Sequence, residues 1–490
     1  MSIDTHQLLT IFGTEAGLGA LALLLITVDL LKGKGRLTGP ADAVRATAFL
    51  GLVALLVHSF LQQPVVASAA AAAGPSLGTL DAFALYWKRF FLLTALSVLA
   101  VSGPYEERLP AGRAEFPALI VFTTMGMCLL ASVNDFVTLF VGLELVTVTL
   151  FLMAAWRAGL PSSIEAGIKF VVIGALAAAF LVYGVAWVYG ATGSFDFAAV
   201  HAALNGGERI SAALKFGLLL VLVGLGFKLG AFPFHVWIPD VYQGAPTPVT
   251  AFLSVGSKAA GVVLLMRFVF TVLGPAAAHW ALLLAGLSAL TLLMGNLGAI
   301  PQTDLKRFLG YSGIAHAGFL LLALATHTEP SATAILFYLG AYLFANVMAF
   351  LVIVVVSRTA DNAHMDRVNG LADRSPLLAF ALTVSLLSLA GVPPLEGFFA
   401  KWMVLRAAMS RPDLLWLVWL AGAMIVVSLY YYLCIIKRMY MRDAIDGSVL
   451  EISGATRLIL LACIAALLVL GIWQQPLVEM ARRGASSLFA

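Results

Sequence analysis

Apolar stretches of about 18 residues or more recur along the whole chain, each long enough to cross the ~30 Å hydrocarbon layer of a membrane as a helix. Alternation of apolar and polar residues at period two is missing, which argues against a membrane β-barrel and leaves helices as the spanning elements. We therefore predict an all-α, polytopic membrane protein of about fourteen transmembrane helices. The predicted spans lie near residues 8–31, 43–61, 80–101, 116–132, 136–156, 167–190, 214–238, 248–272, 277–299, 307–325, 332–356, 376–405, 413–436 and 457–475.

Composition supports a membrane protein and excludes two kinds of site. Of the 490 residues, 61% are hydrophobic and only 11% are charged, whereas soluble domains average about 25% charged residues. Cys128, Cys434 and Cys463 all lie in apolar spans without metal-type spacing, so we expect neither a disulfide framework nor an iron–sulfur cluster. The first span is too long for the apolar region of a secretory signal, and we interpret it as the first membrane helix.

Basic residues in the connections, together with those in the first three residues of a span, are distributed unevenly between the two predicted faces of the membrane. With the N-terminus outside, the cytoplasmic connections carry 17 lysines and arginines, and the opposite connections carry only six. A bias of this size follows the positive-inside rule. One miscounted helix would scramble it, so the bias supports both the helix count and a periplasmic N-terminus. The six are Arg209, Lys215, Arg406, Arg411, Arg482 and Arg483.

Six further basic residues lie within predicted spans, and they divide into two groups. Three are near predicted helix ends, where we expect their long side chains to reach the membrane interface. These three are Lys88, Arg89 and Arg267. Lys228, Lys258 and Lys401 lie deeper, where a charge costs at least about 2.5–3.5 kcal/mol and needs a partner or a cavity. Glu144 is the clearest mid-membrane carboxylate in the first half, and Glu15 in the first span has no partner that the pattern identifies.

Two of the deep lysines lie beside interruptions of a helix. Residues 224–238 contain three glycines and Pro233 around Lys228, and residues 391–400 contain a Gly-Val-Pro-Pro sequence before Lys401. Such breaks are tolerated in a membrane where they line a protein cavity. They fall in the seventh and twelfth spans, five helices apart, so we predict two inverted five-helix repeats with discontinuous helices 7 and 12. The predicted domains are 1–115 (helices 1–3), 116–273 (first repeat, helices 4–8), 274–440 (second repeat, helices 9–13) and 441–490 (helix 14).

A buried lysine that faces a carboxylate is a switchable proton site. Burial in apolar surroundings makes it easier for a lysine to lose its proton, and a nearby carboxylate opposes that loss. A glutamate that moves or becomes protonated would therefore switch the lysine, which is the chemistry that a proton relay requires. The alternative is that the charges are structural ion pairs between helices. Three deep lysines and a glutamate, two of them beside broken helices, favour the relay.

Two histidines are weaker candidates for the same chemistry. His316 lies within a span, and its titration range suits proton transfer. A neutral histidine that is hydrogen-bonded to a backbone carbonyl is an equal alternative for His316. His235 lies near the predicted cytoplasmic end of its helix and precedes a Val-Trp-Ile-Pro-Asp sequence, so a capping or turn role is favoured there.

Three segments of the chain, 228–254, 303–316 and 391–402, resemble the antiporter-like membrane subunits of respiratory complex I, the NADH:quinone oxidoreductase. The likeness extends over essentially the whole chain, and 228–254 is its most specific part. Within that family the pattern looks most like the N type of subunit. The chain ends soon after the fourteenth span without a long lateral helix, and Lys401 stands where the M type carries a glutamate.

The resemblance implies a role for each candidate residue in a bacterial inner-membrane proton pump. Glu144 and Lys228 would form the input-side pair, and Lys258 would be the central relay. Lys401 would be the site nearer the periplasm, and His316 would lie on the same hydrated axis. The chain would then be a multi-pass subunit of a translocase, with energy supplied from elsewhere in the complex.

Glu396 departs from the family pattern, in which a small or hydroxyl residue is usual at this position of the 391–402 segment. Its carboxyl is close in sequence to Lys401. One interpretation is therefore that the two groups pair and that the protonation of Lys401 is altered. This differs from the lone lysine that the family pattern implies at Lys401.

The resemblance also implies where cofactors and partners are found. No cofactor is expected in this chain, because NADH, FMN, iron–sulfur clusters and quinone would bind to partner subunits. Redox energy would reach the chain through conformational or electrostatic coupling. The expected partners are the other membrane-arm subunits of complex I, including the other antiporter-like subunits, together with the lipid bilayer and no nucleic acid.

Three alternative functions use the same sequence features. A subunit of a multi-subunit cation/proton antiporter or of a membrane-bound hydrogenase would employ the same lysines, and copurifying peripheral subunits would discriminate it. A structural membrane scaffold would use the charges as ion pairs between helices, and it predicts that Lys401→Met is tolerated or stabilising. A transporter of an organic solute should show polar or aromatic groups clustered at the breaks, for which Glu396 and Trp402 alone are thin support.

Overall fold

The computed structural model describes residues 5–31, 41–65, 78–103, 105, 114–205, 210–358, 363–444 and 448–489, and these residues form helices joined by short connections. Extended pairing in this part of the chain is limited to two isolated β-bridges. The predicted all-α class is confirmed. The α-helices, in chain order, are α1 (Thr5–Leu31), α2 (Ala41–Leu61), α3 (Ala82–Ser102), α4 (Glu115–Ala131), α5 (Phe136–Ala154), α6 (Pro161–Thr192), α7 (Phe197–Asn205), α8 (Ala212–Leu229), α9 (Trp237–Gly244), α10 (Thr247–Phe252), α11 (Lys258–Met266), α12 (Ala277–Ala299), α13 (Leu305–Thr326), α14 (Glu329–Val356), α15 (Leu371–Arg374), α16 (Pro376–Ala390), α17 (Glu396–Met409), α18 (Leu415–Met441), α19 (Gly454–Ile472) and α20 (Gln475–Ser486).

Twelve helical stretches in the described ranges are long and apolar enough to cross a membrane. Two shorter apolar helices, α4 and α16, lie at the fourth and twelfth predicted spans. Each of the fourteen predicted spans therefore contains a helix. Helices form in these stretches because lipid offers no partner for backbone polar groups, so the groups must bond within the segment.

The chain leaves helical geometry at both predicted breaks. Gly230 closes α8 with φ of +75°, and turns at 231–236 precede α9. Gly391 closes α16 with φ of +85°, and residues 392–395 precede α17. Glycine suits both positions because other residues are strained at positive φ. The seventh predicted span, 214–238, is therefore longer than α8, and its last residues belong to the turns and to α9.

A further irregularity lies in the span that carries Lys258. Leu253–Ser257 is a π-helical segment between α10 and α11, and Lys258 is the first residue of α11. A second π-helical segment, Arg267–Val272, follows α11. The apolar pattern predicts one continuous helix here, but single π-helical turns within α-helices are frequent at functional sites. The backbone hydrogen-bonding pattern of the eighth span therefore changes from π-helical to α-helical directly at Lys258.

Helices α10, α11, α13 and α14 form the centre of the molecule. In the most apolar windows of Thr247–Val272, Leu305–Thr326 and Glu329–Val356, 100%, 94% and 94% of the residues are buried. The corresponding share for Ala43–Leu61, which lies in α2, is only 22%. Protein therefore surrounds the central helices on all sides, while α2 lies at the periphery. The central helices carry Lys258 and His316.

Helices α7 and α20 lie outside the predicted spans. Helix α20 packs against α14 and α3, and the backbone amide of Phe83 donates to Ser487 Oγ just beyond it at 3.1 Å. Its exposed side carries Glu479, which pairs with Arg482 and Arg483. Hydrogen bonds from these two arginines lower the pKa of Glu479 to about 2. Because α20 is amphipathic and charged, a search for long apolar stretches does not detect it.

Candidate functional site

Lys228 is linked to α5 through a threonine. The ammonium of Lys228, which is 2% exposed, donates to Thr147 Oγ1 at 2.8 Å. Thr147 lies three residues after Glu144 in α5, so both side chains face the same side of that helix. The charges of Glu144 and Lys228 are close enough to interact, yet Glu144 Oε1 has no hydrogen-bond partner in the described part of the chain. The structure thus brings the two residues together around Thr147, without a direct ion pair among the described residues.

Neutral groups hold the ammonium of Lys258. This residue is 3% exposed, and its Nζ donates to the carbonyl oxygen of Gly313 at 2.7 Å and to the hydroxyl of Tyr342 at 3.0 Å. The same nitrogen lies 4.8 Å from the centroid of the Tyr342 ring. These partners stabilise a cation through dipoles and the aromatic ring rather than through an opposite charge. This arrangement requires glycine at position 313, because a Cβ atom there would lie 2.5 Å from Lys258 Nζ.

His316 lies between two tyrosine hydroxyls. Its Nδ1 is 2.5 Å from Tyr338 Oη, and its Nε2 is 3.4 Å from Tyr432 Oη. Tyr432 Oη in turn lies 2.5 Å from Ser312 Oγ, one helical turn before His316. Hydroxyl groups both donate and accept, so this arrangement can serve either tautomer of the imidazole. Of the two alternatives for His316, a backbone-carbonyl partner is not found among the described residues; its hydrogen-bond partners there are side chains.

Lys401 is bound by the second helix break. Its Nζ donates at 2.8 Å to the carbonyl oxygen of Ala390, the last residue of α16. The same nitrogen lies 5.3 Å from the centroid of the Phe319 ring. An ideal Cβ at Gly391 would lie 2.9 Å from Lys401 Cδ, so the glycine also makes room for the lysine. Both carboxyl oxygens of Glu396 lack hydrogen-bond partners within the described ranges. The interpretation that Glu396 pairs with Lys401 is therefore wrong.

A small cavity connects the central residues. Its volume is about 10 Å³, which is roughly the minimum that holds one water molecule. His316, Tyr342, Ser388 and Lys401 are among the residues that line it. Since Tyr342 also binds the ammonium of Lys258, the structure brings Lys258, His316 and Lys401 into one continuous polar cluster.

Two cations that we expected at the membrane interface are instead buried in ion pairs. Lys88 is 0% exposed and lies 2.9 Å and 3.0 Å from the two carboxylate oxygens of Glu15, with a further bond to the carbonyl of Ile11 at 2.8 Å. Arg267 is 5% exposed and binds Asp81 with both terminal nitrogens, at 2.6 Å and 2.8 Å. The interface expectation for Lys88 and Arg267 is therefore wrong, because carboxylates on neighbouring segments neutralise them in the interior.

The two remaining candidates do not line the central cavity. Arg89 is half-buried, donates to the carbonyl of Ser59 at 2.9 Å and lies over the ring of Phe60. His235 lies in the turns between α8 and α9, and its ring stacks on Phe232 with centroids 5.6 Å apart. The structure thus places His235 in the turn, and its Nδ1 has no hydrogen-bond partner among the described residues.

Comparison with known proteins connects this arrangement to a family. The transmembrane family described as NADH:quinone oxidoreductase/Mrp antiporter matches residues 133–428, which is more than half of the chain. The chain belongs to this family. NADH-quinone oxidoreductase subunit N of Heliobacterium modesticaldum is 39% identical over 480 residues, which cover 97% of this chain and 98% of the relative. Subunit N of Rhodospirillum rubrum is 40% identical over 439 residues, which cover 87% of this chain and 89% of the relative.

Solved structures of the family share the fold. A chain of respiratory complex I from Thermus thermophilus with bound aureothin is 33% identical, with a TM-score of 0.79, and the match covers 95% of this chain and 98% of that chain. A chain of the Mrp complex from a Dietzia species is 22% identical with a TM-score of 0.81, covering 99% and 98%, and shows the fold alone. The predicted resemblance to the antiporter-like subunits, and to subunit N among them, is confirmed.

The family match includes every candidate of the proposed relay. The stretch 133–428 contains all five relay candidates and begins after Glu15, Asp81 and Lys88. The polar cluster is therefore built within the family region, whereas the Glu15–Lys88 pair joins α1 to α3 outside it. The boundary does not divide the buried cations by their chemistry, because Arg267, which the carboxylate of Asp81 binds, also lies within 133–428.

A cluster at the surface holds α9, which follows the first break. Asp240 of α9 accepts from Lys169 of α6 at 2.7 Å and also binds Arg307 of α13. Burial of the carboxyl opposes its ionisation, but the hydrogen bonds from Lys169 and Arg307 outweigh it and hold the pKa of Asp240 below its ordinary value. Three helices of the family region are thereby tied together at one end of the broken helix.

Proposed function

We propose that this chain acts as a proton-translocating membrane subunit of a bacterial NADH:quinone oxidoreductase, in the place of the subunits N that it resembles. Protons pass along Glu144, Lys228, Lys258, His316 and Lys401. The energy comes from redox chemistry on other subunits. The 39% identity to subunit N of Heliobacterium modesticaldum, over nearly the whole of both chains, supports this assignment.

One contrast carries the proposal. Lys88 and Arg267, outside the relay, are each neutralised by a carboxylate at hydrogen-bonding distance. Lys228, Lys258 and Lys401 are just as buried, but within the described ranges they bind a hydroxyl, backbone carbonyls and aromatic rings instead. A structural ion pair requires the carboxylate, because an unpaired buried charge is costly. A cation held only by neutral groups can release its proton and leave those groups satisfied, which suits a relay.

Protonation at one position changes its neighbours through their charges. A proton on Lys258 disfavours a second cation nearby, so loading one site promotes release at the next. Tyr342 bridges Lys258 to the cavity, and a water in that cavity would connect His316 with Lys401. A charge change at Glu144 would be felt first at Lys228, because these two interact across Thr147.

The orientation and the repeats are part of the proposal. Lys169 and Arg307, from two connections that the charge bias assigns to the cytoplasm, meet at Asp240, which supports their common location. Arg411, assigned to the opposite face, donates to the carbonyl of Thr326 at the other end of α13. The N-terminus is then periplasmic, and the membrane is the bacterial inner membrane. Residues 116–273 and 274–440 form the two inverted repeats, flanked by 1–115 and 441–490.

Cofactors and partners follow from the same assignment. NADH, FMN, the iron–sulfur clusters and quinone are bound by other subunits, and this chain contacts the other membrane-arm subunits, including the antiporter-like ones. Among the described residues there is no group of three or more His, Cys, Asp or Glu side chains that could hold a metal ion. The alternative is a subunit of a cation/proton antiporter, because the family also includes Mrp antiporters. Copurification with NADH-oxidising subunits or with antiporter subunits distinguishes the two.

Replacing either member of the input pair tests the relay. We expect Glu144→Ala and Lys228→Ala to leave the complex assembled and to lower proton translocation. Removal of a group that transfers a proton costs about 10²–10⁴-fold in the step that it serves. The measurement is the number of protons translocated per NADH oxidised in membrane vesicles. Glu451→Ala and Lys437→Ala, at exposed positions, are the matched controls. Normal stoichiometry in fully assembled Glu144→Ala and Lys228→Ala variants would contradict these two assignments.

Gly313→Ala tests the geometry around Lys258 without removing any charge. The added methyl group would lie 2.5 Å from Lys258 Nζ and 3.2 Å from Tyr342 Oη, so the ammonium must move away. Because a misplacement of about 1 Å can cost about 10²-fold, we expect the rate of proton translocation to fall strongly while the chain still assembles. Gly286→Ala is the control, since a Cβ there meets nothing within 4 Å. Equal translocation rates in the two variants would show that the position of Lys258 is unimportant.

A further inference from the structure

Glu396 is a buried acid that the relay described above does not use. It is the first residue of α17, at the second helix break, and 0% of its surface is exposed. Both of its carboxyl oxygens lack a hydrogen-bond partner among the residues that the structure describes. A carboxylate ion without donors is strongly disfavoured away from water, so this environment suits the neutral acid.

Glu396 and Lys401 face different sides of α17. Five residues separate them, which corresponds to one full turn and about 140° more around the helix. Lys401 borders the cavity beside His316, and its ammonium is occupied by the carbonyl of Ala390 at 2.8 Å. The carboxyl of Glu396 is therefore a separate group rather than the counter-ion of this lysine.

Helices α3 and α19 close the surroundings of Glu396 without supplying a donor. Tyr86 of α3 lies near Glu396, but its hydroxyl donates to the carbonyl of Leu336 at 2.8 Å. On α19, an ideal Cβ at Gly471 would lie 2.8 Å from the backbone nitrogen of Glu396, so the two segments are in direct contact. The carboxyl group must therefore either be protonated or accept hydrogen bonds from water.

We propose that Glu396 is a second proton-holding group of the twelfth span, which exchanges its proton with water on the α3 and α19 side of the break. This inference rests on the proposed function and adds an acid to the end of the relay at Lys401. In the resting state the group is a carboxylic acid. Release breaks the O–H bond, transfers the proton to a water molecule and leaves the carboxylate, which the return of one proton restores. No electron is transferred, and water is the only co-reactant.

Infrared difference spectroscopy of the assembled complex, with and without NADH, tests the protonation. We expect a carbonyl band of a neutral carboxyl group that changes on energisation in the unsubstituted protein and in Glu451→Gln, an exposed control. The band should be missing in Glu396→Gln and displaced in Glu396→Asp. An unchanged band in Glu396→Gln would show that Glu396 carries no exchanging proton and would overturn the proposal.

Proton translocation distinguishes a working acid from a structural one. Glutamine resembles the neutral acid in shape but cannot release a proton, so Glu396→Gln should lower the number of protons per NADH and Glu396→Asp should recover part of it. Full translocation in assembled Glu396→Gln, combined with a loss in Lys401→Met, would overturn this inference and leave the relay intact. Full translocation in both variants would instead contradict the proposed function at Lys401.

Discussion

Lys258→Arg will abolish proton translocation through this chain although it keeps the positive charge. The guanidinium group cannot be deprotonated in proteins, so arginine can bind to Gly313 and Tyr342 but cannot pass a proton on. Lys258→Met removes the charge and should also abolish translocation. Loss of a proton-transferring group costs about 10²–10⁴-fold, so the protons carried by this chain should become undetectable. The measurement is proton translocation per NADH oxidised in vesicles that contain the assembled complex.

The arginine variant separates a relay from a scaffold. If Lys258 only joins helices by its charge, Lys258→Arg should preserve translocation, because arginine keeps that charge. If Lys258 transfers protons, both variants should assemble and both should fail to translocate. Lys437→Arg, at an exposed position of α18, controls for the chemical change itself. Translocation at the normal level in Lys258→Arg would exclude Lys258 as a proton carrier.

The two helix breaks could be predicted because their signals are local. Gly230 and Gly391 both adopt positive φ, which glycine tolerates, and the prolines that follow them remove backbone donors and disfavour helix. Lys228 lies two residues before Gly230, and Lys401 lies seven residues after Pro394, so the same local signals pointed to both lysines as candidates. The fourteen spans follow from apolar length alone and needed no knowledge of packing.

The partners of the buried cations could not be predicted, because they are distant in sequence. Lys88 meets Glu15 across 73 residues, and Arg267 meets Asp81 across 186. A lysine near a helix end can either extend to the interface or turn inward to a carboxylate, and only the packing of neighbouring segments decides between them. The same holds for Lys258, whose neutral partners Gly313 and Tyr342 lie 55 and 84 residues away.

The spacing of Glu396 and Lys401 along the helix argued against their pairing, although the two residues are close in sequence. Five residues along a helix place two side chains on different sides, whereas three or four residues place them together. Glu144 and Thr147 satisfy the spacing of three, and the structure uses both around Lys228. Glu396 and Lys401 do not, and the structure separates them. The π-helical segment before Lys258 had no such signal, because its residues Leu253–Ser257 continue the apolar pattern.

Lys88→Met will destabilise the chain more than any substitution at its surface. The change leaves the carboxylate of Glu15 buried without its ammonium partner between α1 and α3. Removing one member of a buried pair costs about 3–5 kcal/mol, whereas replacing both members by apolar residues is often neutral. We therefore expect Lys88→Met to lower the thermal midpoint for loss of this chain from the purified complex. The double variant Glu15→Leu with Lys88→Met should recover most of the loss.

The double variant identifies the pair as structural and separates it from the relay. If the Glu15–Lys88 pair serves only to join α1 and α3, the double variant should translocate protons normally once it is assembled. Arg483→Met is the control for a surface pair, because Arg483 is 73% exposed and its bond to Glu479 should contribute little. A double variant that is stable yet fails to translocate protons would place Glu15 and Lys88 in the proton path. The contrast between Lys88 and the relay lysines would then no longer separate a structural cation from functional ones.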